Sequence, residues 1–218
     1  MLTDLQLQQN TMAELRWEPS VKAAEIGVAA KGGVITLTGN VDTYAQKFAA
    51  ERAVERVSGV RAIADDLTVA IPGVYKRTDS DIARAAATAL AWDVEVPDGV
   101  TAVVSQGRVT LAGTVQWYFQ KAAAERTVRY LLGVTGVTNM VEVQQSAPVK
   151  AADIKAKIEA AVARNVQLDA GKIRVTTRDD TVTLTGTVRS CAERVDAMHA
   201  AWNAPGVRFV KDEIVVGR

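Results

Sequence analysis

The sequence predicts an α+β protein of three tandem small domains, each with the element order α-β-β-α-β. Two repeated markers support this prediction. The segments GVITLTGNV, GRVTLAGTV and DTVTLTGTV occupy residues 33–41, 107–115 and 180–188. A second marker, a glycine followed by valine, recurs at positions 59, 133 and 206. Both markers repeat after 74 and then 73 residues, so they share one register and indicate a tandem repeat.

An amphipathic helix is predicted to open each repeat. Apolar or small residues recur there at i, i+4 and i+8, which is the spacing of one helix face. Aspartates such as Asp4, Asp79 and Asp153 lie ahead of these stripes, where a negative charge suits a helix N-terminus. We therefore expect the stripes to be buried in the core. Their members are Leu7, Thr11 and Leu15, then Ile82, Ala86 and Leu90, then Ile154, Ile158 and Val162.

A β-hairpin is predicted next in each repeat. Ile26 and Val28 alternate with smaller residues, as in a strand with one buried face. In the following V-T-L-x-G strand, Ile35 and Leu37 point to one face and Thr36 to the other. Because glycine has no side chain, the glycine that ends this strand is predicted to allow a sharp exit or a close backbone approach. These structural glycines are Gly39, Gly113 and Gly186.

A second helix, rich in small residues, is predicted to lie close to the sheet. It ends at the glycine of the second marker, which is Gly59, Gly133 or Gly206. The last strand follows and is joined to the preceding strand through the helix, so the two strands should run parallel. Each domain is therefore predicted as a three-stranded mixed sheet with both helices on one face. The predicted domains span residues 1–72, 77–145 and 149–218.

Composition excludes several classes of site. A single cysteine, Cys191, and a single histidine, His199, exclude an intramolecular disulfide and an ordinary Cys/His zinc site. The sequence contains no P-loop, no G-x-G-x-x-G, no G-x-S-x-G and no cluster of metal ligands. We therefore expect no catalytic residues, no cofactor and no metal. The balance of 26 basic and 25 acidic residues argues against a nucleic-acid partner.

Targeting signals are weak in this sequence. No run approaches the ~18 apolar residues that a membrane-spanning helix needs, so no transmembrane segment is expected. The N-terminal segment lacks the basic and apolar regions of a signal peptide. If Met1 is the natural start, the chain is expected in the cytoplasm. A chain that begins after a removed signal would instead be periplasmic.

The repeat resembles the BON domain. The resemblance rests on the length of about 70 residues, the V-T-L-x-G strand, and a second helix that ends in Gly-Val. TYAQKFAAERAVERVSGV and WYFQKAAAERTVRYLLGV are most similar to the family pattern, and SCAERVDAMHAAWNAPGV in the third repeat departs from it. The resemblance implies a non-enzymatic protein that associates with phospholipid surfaces and protects cells under osmotic or envelope stress.

Aromatic rings next to basic residues mark the start of the second helix in each repeat. Such a pair suits a lipid headgroup interface, where the ring enters the interfacial layer and the cation meets phosphate. The alternative is that these rings cover the edges of small cores or form contacts between domains. Trp17 and Trp92, at the end of the first helix, are predicted to close the core. The lipid-surface candidates are Tyr44, Lys47, Trp117, Tyr118, Lys121 and Arg194.

Three functions fit these features. The leading hypothesis is osmotic or envelope stress protection by modules that bind anionic phospholipid surfaces, each weakly and with additive effect. A second is a potassium sensor that binds a monovalent cation through backbone carbonyl groups. A third is an assembly scaffold, in which exposed sheet edges pair with another protein. The expected partner is therefore an anionic membrane surface or another protein, with a monovalent cation as the alternative.

Overall fold

The structure is a computed structural model of the 218-residue chain. It describes residues 2–144, 151–164, 170–178, 181–207 and 209–217. Contacts divide the chain into two compact units. The first unit comprises residues 1–39, 49–66 and 147–218, and the second comprises residues 40–48 and 67–146.

The first repeat has the predicted order of elements. Helix α1 (Asp4–Trp17) precedes strands β1 (Ile26–Lys31) and β2 (Val34–Val41), and helix α2 (Tyr44–Arg56) precedes strand β3 (Ala62–Val69). The strands form one sheet in the order β1-β2-β3, with β1 antiparallel to β2. The central strand of the sheet is therefore the V-T-L-x-G strand.

The second repeat has the same order, but two of its strands are interrupted. Strand β5 is antiparallel to β4 and parallel to β7, and β6 is parallel to β8. The last strand, predicted to follow the second helix, is broken at residues 140–141. The elements are α3 (Asp79–Trp92), β4 (Thr101–Ser105), β5 (Arg108–Ala112), β6 (Thr114–Val115), α4 (Tyr118–Arg129), β7 (Gly136–Asn139) and β8 (Glu142–Val143).

The third repeat returns to continuous strands. It comprises helix α5 (Ala151–Arg164), strands β9 (Ile173–Arg178) and β10 (Thr181–Val188), helix α6 (Cys191–Trp202) and strand β11 (Phe209–Val216). Strand β10 lies between β9, which is antiparallel to it, and β11, which is parallel. The predicted mixed sheet is therefore confirmed.

The buried residues follow the predicted periodicities. All nine members of the helical stripes, from Leu7 to Val162, are buried. The apolar residues of the V-T-L-x-G strands, among them Ile35, Leu111 and Leu184, are also buried. Alanines such as Ala53 and Ala124 are buried on the second helices, where their small side chains let the helix lie close to its neighbours. Each core is thus built from the two faces that the sequence pattern indicates.

An aspartate at the start of helices α1 and α3 holds the tip of the following hairpin. A carboxylate oxygen of Asp4 accepts a hydrogen bond from the backbone N–H of Gly32 at 2.9 Å. Asp79 accepts two such bonds, from Gln106 and Gly107, at 2.8 Å each. Helix capping falls instead to the preceding threonine in both repeats. Each aspartate therefore links the helix start to the β-hairpin of its own repeat.

The prediction that a glycine ends the V-T-L-x-G strand holds only for Gly113, which lies between β5 and β6, since Gly39 and Gly186 lie inside β2 and β10. A backbone carbonyl group just before the first strand of each repeat lies against these glycines. Gly39, Gly113 and Gly186 have φ of 119°, 138° and 135°. A Cβ added at any of them would lie within 2.5 Å of a carbonyl oxygen. Any side chain would therefore collide with backbone at these positions. The glycines of the second marker also have positive φ, namely 89° at Gly59, 88° at Gly133 and 92° at Gly206.

Candidate functional site

The starts of helices α2, α4 and α6 are fixed by one recurring device. A glutamine or glutamate in the first turn reaches back to the backbone just before the helix. Gln46 accepts from the N–H of Asp42, and Gln120 accepts from the N–H of Trp117, both at 3.0 Å. Glu193 accepts from the N–H of Arg189 at 2.8 Å. The predicted lipid-surface residues are therefore held in comparable positions in the three repeats.

The candidate cations at these helix starts contact their own repeats. The ammonium group of Lys47 donates to the carbonyl oxygen of Leu67 at 2.7 Å. The guanidinium of Arg194 pairs with the carboxylate of Asp212, which lies on β11 and is largely buried. The third cation, Lys121, is half-buried. The cations at α2 and α6 thus already have partners on the last strand.

Burial controls the titration of the helix-start residues in the second repeat. Burial lowers the pKa of Lys121, and the nearby carboxylates of Glu125 and Glu142 oppose that shift. Burial also raises the pKa of Tyr118, and the charge of Glu125 adds to it. Tyr118 therefore stays protonated at neutral pH, whereas burial disfavours the charged form of Lys121.

The candidate rings at the helix starts are packed rather than free. Tyr44 packs against the hydrophobic core of the second repeat. Trp117 and Tyr118 are half-buried. Four residues after Tyr44, the ring of Phe48 lies 3.4 Å from the guanidinium carbon of Arg129, which is a cation–π contact. At α2, the alternative interpretation of these rings as contacts between domains agrees with this packing.

The start of helix α6 contacts the first repeat within the first unit. The thiol of Cys191 donates to the carbonyl oxygen of Val60 at 3.1 Å, and burial raises the pKa of that thiol. The N–H of Gly59 donates to the carbonyl oxygen of Arg189 at 3.2 Å. The start of α6 therefore connects the first and third repeats through hydrogen bonds.

Exposed apolar residues near α4 were missed by the sequence interpretation. Phe119 follows the predicted Trp117-Tyr118 pair and is exposed. Met140 is also exposed, in the interruption between β7 and β8. The amide of Asn139 donates to the carbonyl oxygen of Lys121 at 2.9 Å, so Met140 follows a residue bonded to the start of α4. The sequence shows an aromatic residue at position 119, so Phe119 could have been included among the candidates. The exposure of Met140 depends on the strand interruption, which the sequence does not indicate.

The ends of helices α1 and α3 carry the most exposed aromatic rings. Trp17 is 83% exposed and Trp92 is 84% exposed, so the prediction that they close the core is wrong. The buried stripes end at Leu15 and Leu90, two residues earlier. Since a helix turns by about 100° per residue, a side chain two positions later points roughly away from the stripe. Both indoles therefore face solvent.

The acidic residues beside these tryptophans are bound within their repeats. Glu18 pairs with Arg56 at 3.4 Å, and Arg56 also pairs with Glu14 at 2.9 Å. In the second repeat, Asp93 accepts a hydrogen bond from the hydroxyl of Thr127. This bond is the main cause of the lowered pKa of Asp93. Each helix end is thereby attached to the second helix of its repeat.

The exposed face of helix α3 is also weakly charged near Trp92. Ala87, Thr88 and Ala91 are exposed on it, and the next residue after the cap, Val94, is fully exposed. Among the charged residues of α3, Arg84 is the last before Trp92. The second repeat thus presents an indole and an aliphatic side chain at the end of a largely neutral helix face.

The described part of the chain offers neither a metal-ligand cluster nor a membrane-spanning helix. No group of three or more His, Cys, Asp or Glu side chains is placed to hold a metal ion there. Within the same residues, no helix has both the length and the apolar character to cross a membrane.

Comparison with known proteins identifies relatives of each repeat. The profile of the BON domain matches residues 3–71, 78–145 and 150–218. The chain is similar to osmotically inducible protein Y of Escherichia coli, with 30% identity over 143 residues, 63% of this chain and 71% of that protein.

Among solved structures, the chain matches CdsD, a structural protein of the type III secretion system of Chlamydia trachomatis. The match has 14% identity, a TM-score of 0.28, and coverage of 96% of this chain and 91% of that chain. A structure of the C-terminal domain of CdsD gives 13% identity and the same TM-score, with full coverage of both chains.

Proposed function

Because the chain belongs to the BON domain family, we propose that it is a non-enzymatic osmotic-stress protein that binds anionic phospholipid surfaces peripherally. The family membership and the similarity to osmotically inducible protein Y support the stress-related role. Binding to phospholipid is the mechanism that we add to that role.

One observation carries the proposal, namely the exposure of Trp17 and Trp92 at equivalent positions of two repeats. An indole combines a large apolar surface with one N–H donor, and tryptophan is enriched where membranes meet water. A single exposed ring needs no explanation, but the same exposed ring at the same helix end in two repeats indicates a surface used for binding. In the second repeat the exposed side chain of Val94 extends that surface.

The start of helix α4 is the second candidate surface in this proposal. Trp117 and Tyr118 are half-buried, and Phe119 is exposed beside them. The ammonium group of Lys121 would meet a lipid phosphate there. The corresponding cations of the other repeats, Lys47 and Arg194, would first have to leave their partners on the last strand. We therefore expect the helix starts to contribute less than the helix ends.

Linkage of the repeats would turn weak contacts into useful affinity. Each helix end offers one indole and few neighbours, so a single repeat is expected to bind weakly. Joining two binding modules in one chain raises the effective concentration of the second after the first has bound. Membrane association should therefore depend on both Trp17 and Trp92, with a loss greater for the double variant than for either single variant.

The proposal is tested by sedimentation of the chain with anionic and neutral vesicles. The W17A/W92A variant should bind at least about tenfold more weakly, because each indole has ~150–250 Å² of surface that contributes about 25 cal/mol per Å² buried. Y130A, which removes another exposed aromatic ring, is the matched control. Equal binding by W17A/W92A and the wild type would overturn the role of these residues. Absence of binding by the wild type would overturn the membrane proposal itself.

A further inference from the structure

The open face of the third repeat's sheet differs in chemistry from the same face of the other repeats. We infer that this face, formed by β9, β10 and β11, binds the phosphate groups of anionic phospholipid headgroups. The inference rests on the proposed membrane function, and it names the surface that would make binding selective for anionic lipid. Helices α5 and α6 pack with the core on the opposite face of the sheet.

The strand register defines the open face residue by residue. Along β10 the apolar residues Val182 and Leu184 face the core, so the intervening threonines face the other way. Three strands and four rows make a face of about 10 Å by 20 Å. The rows are Arg178, Thr181 and Phe209; Thr176, Thr183 and Lys211; Arg174, Thr185 and Glu213; and then Thr187 with Val215.

Two of the three cations on this face lie on the edge strand β9. Arg174 and Arg178 are both exposed on β9, two rows apart. On β11 the ammonium of Lys211 lies 2.7 Å from the carboxylate of Glu213, so those two charges offset each other. Among the described residues of this face, Arg174, Arg178 and Lys211 against Glu213 leave a net charge of two positive units. A guanidinium presents a planar set of donors that matches the oxygens of a phosphate group.

Apolar side chains lie at the two ends of β11 on the same face. Phe209 is 59% exposed and Val215 is 57% exposed. Between them, four threonines of β10 provide hydroxyl groups at the centre of the face. A flat face with arginines on one edge and apolar residues at its ends can meet headgroup phosphates and the interfacial layer together.

The other two repeats lack this combination at the equivalent positions. Arg174 pairs with the residue just before Gly186, and Thr101 holds the same place relative to Gly113. By the same register, Ser105 corresponds to Arg178. The first repeat has Gly27 and Lys31 at these positions. The ring of Phe209 is likewise absent there, since Ala62 and Gly136 take its place.

A bilayer fits this face better than a single-stranded nucleic acid does. Proteins that bind single strands stack successive bases on several aromatic rings. Here Phe209 is the single ring on the described open face, and the central strand presents hydroxyl groups. A bilayer needs no such series of rings. Anionic headgroups attract cations near the membrane surface, and apolar side chains are stabilised at the membrane boundary. The face has both kinds of residue.

The test replaces the third repeat's residues by those of the second. The variant R174T/R178S puts the second repeat's own strand residues at the equivalent positions of β9, so the strand should still form. Binding to mixed phosphatidylcholine and phosphatidylglycerol vesicles at low salt should fall about 25-fold, from a contribution of about fivefold per cation. Binding to pure phosphatidylcholine vesicles should not change. The reciprocal T101R/S105R variant should bind the anionic vesicles more tightly.

K155Q/K157Q is the matched control, because it removes two positive charges from helix α5 on the other side of the same repeat. It should bind within about twofold of the wild type, since charges remote from the contact act weakly through salt. If the wild type binds anionic vesicles and the R174T/R178S variant behaves like this control, the inference is wrong while the proposed function stands.

Two other outcomes would also overturn the inference. If the wild type binds no vesicle, the proposed function fails and takes the inference with it. If oligothymidylate binds the wild type, R174T/R178S loses that binding, and vesicle binding is unaffected, the face recognises nucleic acid and not lipid. Thermal unfolding of R174T/R178S at the wild-type temperature would show that any lost binding is not a folding defect.

Discussion

Aromatic residues at the start of the second helix of a repeat are packed, whereas those at the end of the first helix are exposed to solvent. At the start of helix α2, Tyr44 packs against a hydrophobic core, and the neighbouring Lys47 donates to a backbone carbonyl. At the ends of α1 and α3, Trp17 and Trp92 are more than four-fifths exposed. Both positions are occupied by aromatic residues in two of the three repeats. Tyr44 packs because the core of the second repeat lies beside the start of α2, whereas Trp17 and Trp92 lie two residues past the buried stripe of their own helices and face solvent.

Removal of a helix-start ring should have the largest effect on stability. Tyr44→Ala takes a partly buried ring from the core of the second repeat, so we expect a loss of about 2 to 3 kcal/mol in the free energy of unfolding. Urea denaturation measures this loss. Tyr44→Phe, which keeps the ring, is the control and should lose under about 1 kcal/mol. A stable Tyr44→Ala protein would show that the ring is not needed for packing, and the contrast between the two helix ends would disappear.

Loss of the carboxylate that pairs with Arg194 at the start of α6 should have an intermediate effect on stability. Asp212→Asn gives β11 the residue that Asn139 provides at the same position of the second repeat. The amide oxygen can still accept from the N–H of Ile214, but the charge opposite Arg194 is lost. Because Arg194 is partly exposed, we expect a loss of about 1 kcal/mol.

Asp212→Asn also sharpens the comparison, because it releases a candidate lipid-binding cation. If residues at the helix starts bind lipid, the variant should bind anionic vesicles more tightly than the wild type. Unchanged binding would confine Arg194 to its structural role. Glu159→Gln, which removes one negative charge from helix α5 on the other side of the sheet, controls for the change in net charge.

Acid should weaken the attachment of the helix end that carries Trp92. The hydrogen bond from Thr127 lowers the pKa of Asp93 below its ordinary value of 3.8. A depressed folded-state pKa contributes stability that is complete above the unfolded value and is lost as pH falls through the folded value. The melting temperature of the wild type should therefore fall more steeply below about pH 4 than that of Thr127→Val. Parallel curves for the two proteins would contradict this account.

Removal of the helix-end rings should have the smallest effect on stability. W17A/W92A should change the free energy of unfolding by no more than about 0.5 kcal/mol, as expected for exposed side chains outside the core. Urea denaturation again provides the measurement. A loss as large as that of Tyr44→Ala would mean that the indoles pack in solution, and the assignment of these positions to binding would fail.

Periodicity was sufficient to predict the fold but not the partners of individual side chains. The stripes through Leu7 and Ile82 and the V-T-L-x-G strands are buried as expected, because each pattern states which residues share a face. The partner of Lys47 lies 20 residues away on the last strand, and the register of that strand cannot be read from a repeat pattern. The hydrogen-bond partners of side chains that contact distant residues could therefore not be predicted.

The wrong prediction for Trp17 and Trp92 has a different cause. Their recurrence was interpreted as core closure because large aromatic residues are usually buried. Their two-residue offset from Leu15 and Leu90 was present in the sequence and contradicted that interpretation. The basic open face around Arg174 could have been found in the same way, by aligning that strand with Thr101 of the second repeat.

The most direct test of the account follows tryptophan fluorescence in vesicles that contain brominated phospholipid, which quenches only nearby indoles. The chain has four tryptophans, so W117F/W202F retains only Trp17 and Trp92, whereas W17F/W92F retains only Trp117 and Trp202. The account predicts strong quenching in W117F/W202F and little in W17F/W92F. Quenching confined to W17F/W92F would contradict it and would return the membrane contact to the helix starts.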